Sequence, residues 1–176
     1  MNKITPPETK RLELVCPAGT PAALKAAVLA GADTVYLGFR DETNARNFPG
    51  LNFNRDELAA GIEFAHDHDV KVLVAVNTFP EAGNFGPWKR AVDDAAARGA
   101  DALILADIGL AAYAAETHPD TRRHLSVQAA ASNPEAINFY VDTFGVQRVV
   151  LPRVLTIPEI TKLNKLINVQ TEVFAF

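Results

Sequence analysis

The chain has 176 residues, 48% of them hydrophobic and 22% charged, with a formal net charge of -4. That is enough for one domain with a sizeable core, and the charge supplies no basic footprint for non-specific nucleic-acid binding. The single cysteine, Cys16, excludes an internal disulfide, and also a structural zinc site or an iron–sulfur cluster built from this chain's own thiols.

The first eleven residues, Met1 to Arg11, are polar and carry Pro6 and Pro7. They lack the apolar core of a signal peptide and read as a flexible lead (1–11) to a domain over 12–176. The apolar runs are strand-length, well short of the ~20 residues that span a bilayer. A soluble, cytoplasmic chain is expected.

From Leu12 onward, short apolar runs alternate with alanine-rich segments. The runs Leu12–Cys16, Thr34–Gly38, Val70–Val76, Ala102–Ala106, Leu125–Gln128, Arg148–Pro152 and Val169–Phe174 are mostly continuous, as in parallel strands buried on both faces. Between them, Leu24, Ala27, Val28 and Gly31 have helical spacing. So do Trp88, Ala91, Val92 and Ala95, and Ile137, Tyr140, Val141 and Phe144. Each set places one apolar stripe against a sheet.

Helix starts are marked by Thr20-Pro21 and Asn133-Pro134, an N-cap followed by an N1 proline, and by capping-box spacing at Asn54/Glu57 and Thr156/Glu159. Gly31-Ala32-Asp33 and Gly99-Ala100-Asp101 each stop a helix and lead into a strand, and Gly145-Val146 acts similarly. The repeated phrase points to a chain of similar βα units. No glycine-rich phosphate loop follows the first strand, where the turn is Pro17-Ala18-Gly19. This favours a barrel over a dinucleotide fold. The expected fold is α/β, an incomplete TIM-like (β/α) barrel. It has about seven parallel strands and about six intervening helices, roughly one βα unit short of eight.

Chemistry in such a barrel sits at the carboxyl ends of the strands. The polar residues there are Arg40, Asn44, Arg46, Asn77, Asp107, Gln128 and Arg153, which are the candidate substrate-binding residues. Asn44 and Arg46 lie with Asn52 in a long loop, 41–53, after the second strand, and long βα loops are often functional. Arg40, Arg46 and Arg153 suit a small carboxylate-bearing ligand. The alternative is that these residues cap helices and pair with one another. For Asp107, which precedes Ile108-Gly109 at a helix start, capping and ligand contact both stand.

Cys16 in an apolar run reads as core rather than as a reactive thiol. His66-Asp67-His68 falls at a helix end, on the face opposite the expected site, where histidine suits the helix dipole. His118 and His124 flank another such connection and read the same way. No metal site is expected. Neither a His-Glu-x-x-His motif nor a Gly-x-Ser-x-Gly elbow is present, and no residue is assigned a catalytic role.

Glu13-Leu14-Val15-Cys16-Pro17-Ala18-Gly19, then Gly31-Ala32-Asp33-Thr34-Val35-Tyr36-Leu37-Gly38, and later His124-Leu125-Ser126-Val127-Gln128, resemble the peptidase U32 family from about Leu12 to Phe176. The stretches 41–53, 100–107 and 148–155 resemble its UbiU-like branch of ubiquinone biosynthesis proteins. The resemblance implies an oxygen-independent hydroxylase subunit acting with a UbiV-like partner. Other members hydroxylate RNA bases, and the family also carries a collagenase-like peptidase label. Further readings are therefore RNA-base hydroxylation, a peptidase, or a non-catalytic binding subunit.

The resemblance also implies a prephenate-type carboxylate ligand and, in full-length members, a [4Fe-4S] cluster on cysteines beyond a phrase like Glu172-Val173-Phe174-Ala175-Phe176. The chain ends at that phrase, so a truncated protein is expected, with no cofactor held by this chain. The open barrel edge predicts cover by a second copy, as a homodimer, or by the partner. Nucleic acid is not expected as a partner.

Overall fold

The computed structural model describes residues 12–175. The lead read over residues 1–11 lies outside the described residues. Strands and helices alternate in chain order. They are β1 Val15–Pro17, α1 Pro21–Leu29, β2 Thr34–Gly38, α2 Arg55–His66, β3 Lys71–Val76, α3 Gly86–Ala97 and β4 Ala102–Leu105, followed by α4 Ile108–Thr117, β5 Arg122–Leu125, α5 Pro134–Phe144, β6 Arg148–Val150, α6 Ile157–Leu163 and β7 Gln170–Glu172.

The seven strands form one sheet in the order β1-β2-β3-β4-β5-β6-β7. Every adjacent pair is parallel. This is the curled wall of an incomplete TIM-like barrel, with the helices as crossovers between neighbouring parallel strands.

Side chains alternate across this wall with period two. Val35, Leu37, Val72, Val74, Leu103 and Leu105 face outward and pack with Leu24, Leu58, Trp88, Val92 and Leu110 of the helices. The residues between them, Leu73, Ala75, Ala102 and Ile104, form a smaller inner cluster with Val15 and Tyr36. A third cluster of Leu125, Ile137, Val149, Leu151 and Leu163 holds the β5–β6 side to α5 and α6.

Local signals act as the sequence predicts. Thr20 Oγ1 accepts from Ala23 N, and Asn133 Oδ1 accepts from Ala136 N. The Asn54/Glu57 capping box closes, and at Thr156 the Glu159 carboxylate accepts from both the backbone N–H and the hydroxyl of Thr156. Gly31, Gly99 and Gly145 have φ of 93°, 86° and 63°, the left-handed conformation in which L side chains are strained. The repeated Gly-Ala-Asp phrase has a further use. The Asp33 carboxylate accepts from Leu14 N at 2.8 Å, and the Asp101 carboxylate from Val72 N at 2.7 Å. Each aspartate therefore pins the start of the preceding strand.

Some expectations need correction. Strand β1 covers Val15–Pro17 rather than Leu12–Cys16, and α1 ends at Leu29, so Gly31 is not part of its stripe. Strands β6 and β7 are three residues each, shorter than the runs read from sequence. The fifth strand is Arg122–Leu125, not Leu125–Gln128; Val127–Ala129 is a single 3₁₀ turn. The apolar run misled because β5 is a polar strand, Arg-Arg-His-Leu, whose side chains are buried by partners distant in sequence. Among the described residues, no helix is long and apolar enough to cross a membrane.

Candidate functional site

A cavity of about 550 Å³ opens at the carboxyl ends of the strands, where the barrel fold places its ligand sites. Pro17 to Gly19 after β1, Tyr36 to Gly38 of β2, Ala75 and Asn77 of β3, and Ile104 of β4 form one side. Ser126 to Gln128 after β5, Val150 of β6, and Glu172 and Phe174 at β7 form the other. The β2–α2 loop closes over it with Asn44 to Arg46, Phe48, Leu51 and Asn52. The walls are mostly apolar, and a few amides, a guanidinium and a carboxylate converge on the space.

Hydrogen bonds build the loop. Asn44 is buried; its amide donates to Phe39 O at 3.3 Å, and its Oδ1 accepts from Arg46 N at 3.0 Å. Asn52 is also buried. It has a φ of 71°, and its Nδ2 donates to Arg46 O at 2.7 Å. Asn77 Oδ1 accepts from Ala45 N at 3.0 Å, tying the loop to the end of β3. Gly38 makes this possible, because a Cβ there would collide with the Asn44 amide. Arg46 reaches into the cavity and its Nη1 donates to the Tyr36 hydroxyl at 3.2 Å.

The seven candidate residues therefore divide. Asn44, Arg46, Asn77 and Gln128 line the cavity. Arg40 instead donates to Leu51 O and Asn52 O and pairs with Glu57 at 2.9 Å, bracing the loop from behind. Asp107 caps α4 through Leu110 N at 2.8 Å. Arg153 stacks over the Phe174 ring, 3.8 Å from its centroid, and so braces a cavity wall.

Sequence reasoning did not single out Tyr36, Ser126, Glu172 or Phe174. For Tyr36 the available signal was period two: it lies between Val35 and Leu37, whose side chains face the helices. Cys16 is partly buried and packs against the outer core, as expected of a structural thiol.

Beneath the cavity the barrel interior is polar. Arg148, with its side chain 7% exposed, donates to Glu13, Gln170 and Glu172. Glu13 also accepts from the Thr34 hydroxyl. Burial alone would raise the Glu13 carboxyl, but the Arg148 and Thr34 hydrogen bonds outweigh it and hold the group below its ordinary range. Glu172 is pushed the other way: burial raises it, the Glu13 charge adds to that, and Arg148 only partly opposes.

His124 corrects the sequence reading. It does not lie on the face opposite the site but points into the barrel, 1% exposed, between Ile104 and Arg148 in register. Neither ring nitrogen has a hydrogen-bond partner among the described residues. Burial first, then the Arg148 and Arg122 charges, together lower its pKa to about 3 against the opposing pull of Glu13. The imidazole is therefore neutral at physiological pH.

The other histidines do lie at helix ends. His66 pairs with Asp101 at 2.9 Å, His68 Nδ1 lies 2.8 Å from Phe64 O, and His118 pairs with Asp93 at 2.7 Å. Among the described residues, no group of three or more His, Cys, Asp or Glu is placed to hold a metal ion. The one cysteine faces the helices, so this chain's own residues do not fit an iron–sulfur cluster.

The model of peptidase family U32 matches residues 19–176. The chain belongs to the U32 family. Curated relatives include tRNA hydroxylation protein P1 of Bacillus subtilis, 33% identical over 94% of this chain, and tRNA hydroxylation protein P of Escherichia coli, 36% identical over 92%. A third, the 23S rRNA 5-hydroxycytidine C2501 synthase of Escherichia coli, is 31% identical over 93%.

A collagenase of Porphyromonas gingivalis is 32% identical over 88% of the chain. The chain spans 39%, 35%, 24% and 36% of these four proteins respectively. Among solved structures, the U32 peptidase Mk0906 superposes with a TM-score of 0.76 at 17% identity, covering 93% of this chain and 68% of that one. At that identity the likeness speaks to the fold. A glycerophosphodiester phosphodiesterase of Parabacteroides distasonis shares the barrel more loosely, with a TM-score of 0.64 at 10% identity over 93% of this chain and 84% of that one.

Proposed function

We propose that this U32 chain forms the ligand-binding barrel of an oxygen-independent hydroxylase acting in ubiquinone biosynthesis. The observation that carries the reading is the cavity: about 550 Å³, apolar-walled, with Arg46 and the amides of Asn44, Asn52, Asn77 and Gln128 converging on it. Its size suits a small ring-bearing acid of the prephenate type. Arg46 would take the carboxylate, the Asn77 and Gln128 amides would orient the molecule, and the β2–α2 loop, held in shape by Asn44 and Asn52, would exclude water.

The hydroxylation relatives support the reaction class. The ubiquinone assignment rests on the resemblance of the β2–α2 loop and the β6 region to the UbiU-like branch. On this reading a UbiV-like partner, or a second copy, covers the open edge at β7. A [4Fe-4S] cluster would supply electron transfer, and its cysteines would lie outside this chain's residues.

The test is anaerobic quinone synthesis in cells lacking the gene. The full-length gene should restore it, and Arg46→Ala and Asn77→Ala versions should not. Failure of the unaltered gene to rescue overturns the assignment.

A second reading, hydroxylation of an RNA base, is favoured by the tRNA and rRNA hydroxylation relatives. Mass spectrometry of RNA from the same strains separates the two, because loss and recovery of a hydroxylated nucleoside would support RNA. The peptidase reading has less support. Ser126 Oγ accepts from Gln128 N, and no histidine is hydrogen-bonded to it among the described residues.

A further inference from the structure

We propose that Glu172 is a ligand-facing group of the cavity, accepting a hydrogen bond from a hydroxyl of the bound molecule while Arg46 holds that molecule's anionic end. The inference rests on the cavity being the ligand site and names a specificity that reading leaves open: a small hydroxy acid rather than a simple acid.

Placement carries it. Glu172 lines the cavity and pairs in register with Val150, another lining residue. Its side chain is 17% exposed. Among the described residues its one side-chain hydrogen bond is to Arg148 Nη1, at 3.4 Å, the long limit of such a contact. Arg148 cannot serve it better, because its other groups are committed to Glu13 and Gln170. Glu172 is thus a partly desolvated carboxyl with spare acceptor capacity, beside Val150 in register and lining the same cavity as Tyr36, Ile104 and Phe174.

Its raised pKa agrees, since the ion pair leaves part of the desolvation cost uncompensated. A ligand hydroxyl would relieve that cost. The charged groups acting on Glu172 are Arg148 from β6 and Glu13 from the segment before β1. Arg46 enters from the β2–α2 loop, so a bound molecule would lie between two ends of opposite character.

The experiment uses two probes, phenylacetate and para-hydroxyphenylacetate, with binding measured by calorimetry on the whole chain. The hydroxylated probe should bind about tenfold more tightly, the equivalent of one net hydrogen bond to a charged group. Glu172→Leu should abolish that preference, and Glu172→Gln, which keeps an acceptor, should retain it. Carbon-detected NMR of labelled glutamate should show the Glu172 titration moving down toward the ordinary carboxylate range when the hydroxylated probe binds.

Equal binding of the two probes, or a preference unchanged in Glu172→Leu, overturns the inference. Phenylacetate binding lost in Arg46→Ala but without any hydroxyl preference would sink the role of Glu172 and leave the cavity reading standing. Absence of binding by both probes would overturn the two together.

Discussion

His124 makes the fold acid-sensitive, and the size of the effect follows from its surroundings. The ring is sealed inside the barrel with no hydrogen-bond partner among the described residues, near Arg148, Arg122 and Lys71, with Glu13 opposing them. Its pKa falls from 6.5 to about 3 on folding. A depressed histidine contributes stability that is fully present above the unfolded pKa and is lost as pH falls toward the folded one.

At about pH 4.5 the unfolded chain is protonated at this residue and the folded chain is not. The group then removes about 3 kcal/mol of stability relative to about pH 8, at roughly 1.4 kcal/mol per pH unit. That is a large share of a typical domain's stability of about 5–15 kcal/mol. Urea unfolding of the wild type and of His124→Leu across this range isolates the term from the carboxylates, which titrate in both proteins. Leucine sacrifices no hydrogen bond here, so the variant should match or exceed the wild type near pH 8 and lose about 3 kcal/mol less by about pH 4.5. Parallel curves for the two proteins, or an imidazole that titrates near 6.5 by NMR, would refute the reasoning.

Gly38→Ala should displace the Asn44 amide, which lies against the site of the new Cβ. A cost of about 1–3 kcal/mol in urea unfolding is expected, with weakened binding of a small aromatic acid measured by calorimetry. Asp107→Ala should cost about 1 kcal/mol through the lost α4 cap, and Asp107→Asn should recover most of it. Trp88 is 3% exposed and its indole donates to Thr78 Oγ1 at 2.9 Å, so Trp88→Ala should cost about 3–5 kcal/mol. A thermal melt unchanged by that substitution would contradict the packing described for α3.

Much of the fold was legible because its signals are local. Strand β2 has the bounds read from its apolar run, and β3 starts one residue later than its run. The stripe Trp88, Ala91, Val92 and Ala95 is the buried face of α3. The candidate site was legible in part. That the β2–α2 loop and Asn77 would meet follows from the barrel topology, and Arg46 lines the cavity as its placement in that loop predicts. That Arg40 and Arg153 turn elsewhere does not follow, because each is claimed by a neighbour, Glu57 or Phe174, that no short-range pattern singles out. Strand β5 was misplaced because its polar side chains resemble a loop until their partners are in view.

The sequence by itself determined the alternation of strands and helices, the caps, the glycine stops and hence the parallel barrel wall, since each depends on residues within about one helical turn. Only the tertiary structure decided what the wall encloses. The ion pair between Glu13 and Arg148 joins residues 135 apart in the chain. It forms because the sheet curls enough to bring the segment before β1 opposite β6. That curvature buries His124 and strips water from Glu172, while the folded β2–α2 loop brings Arg46 to the same cavity.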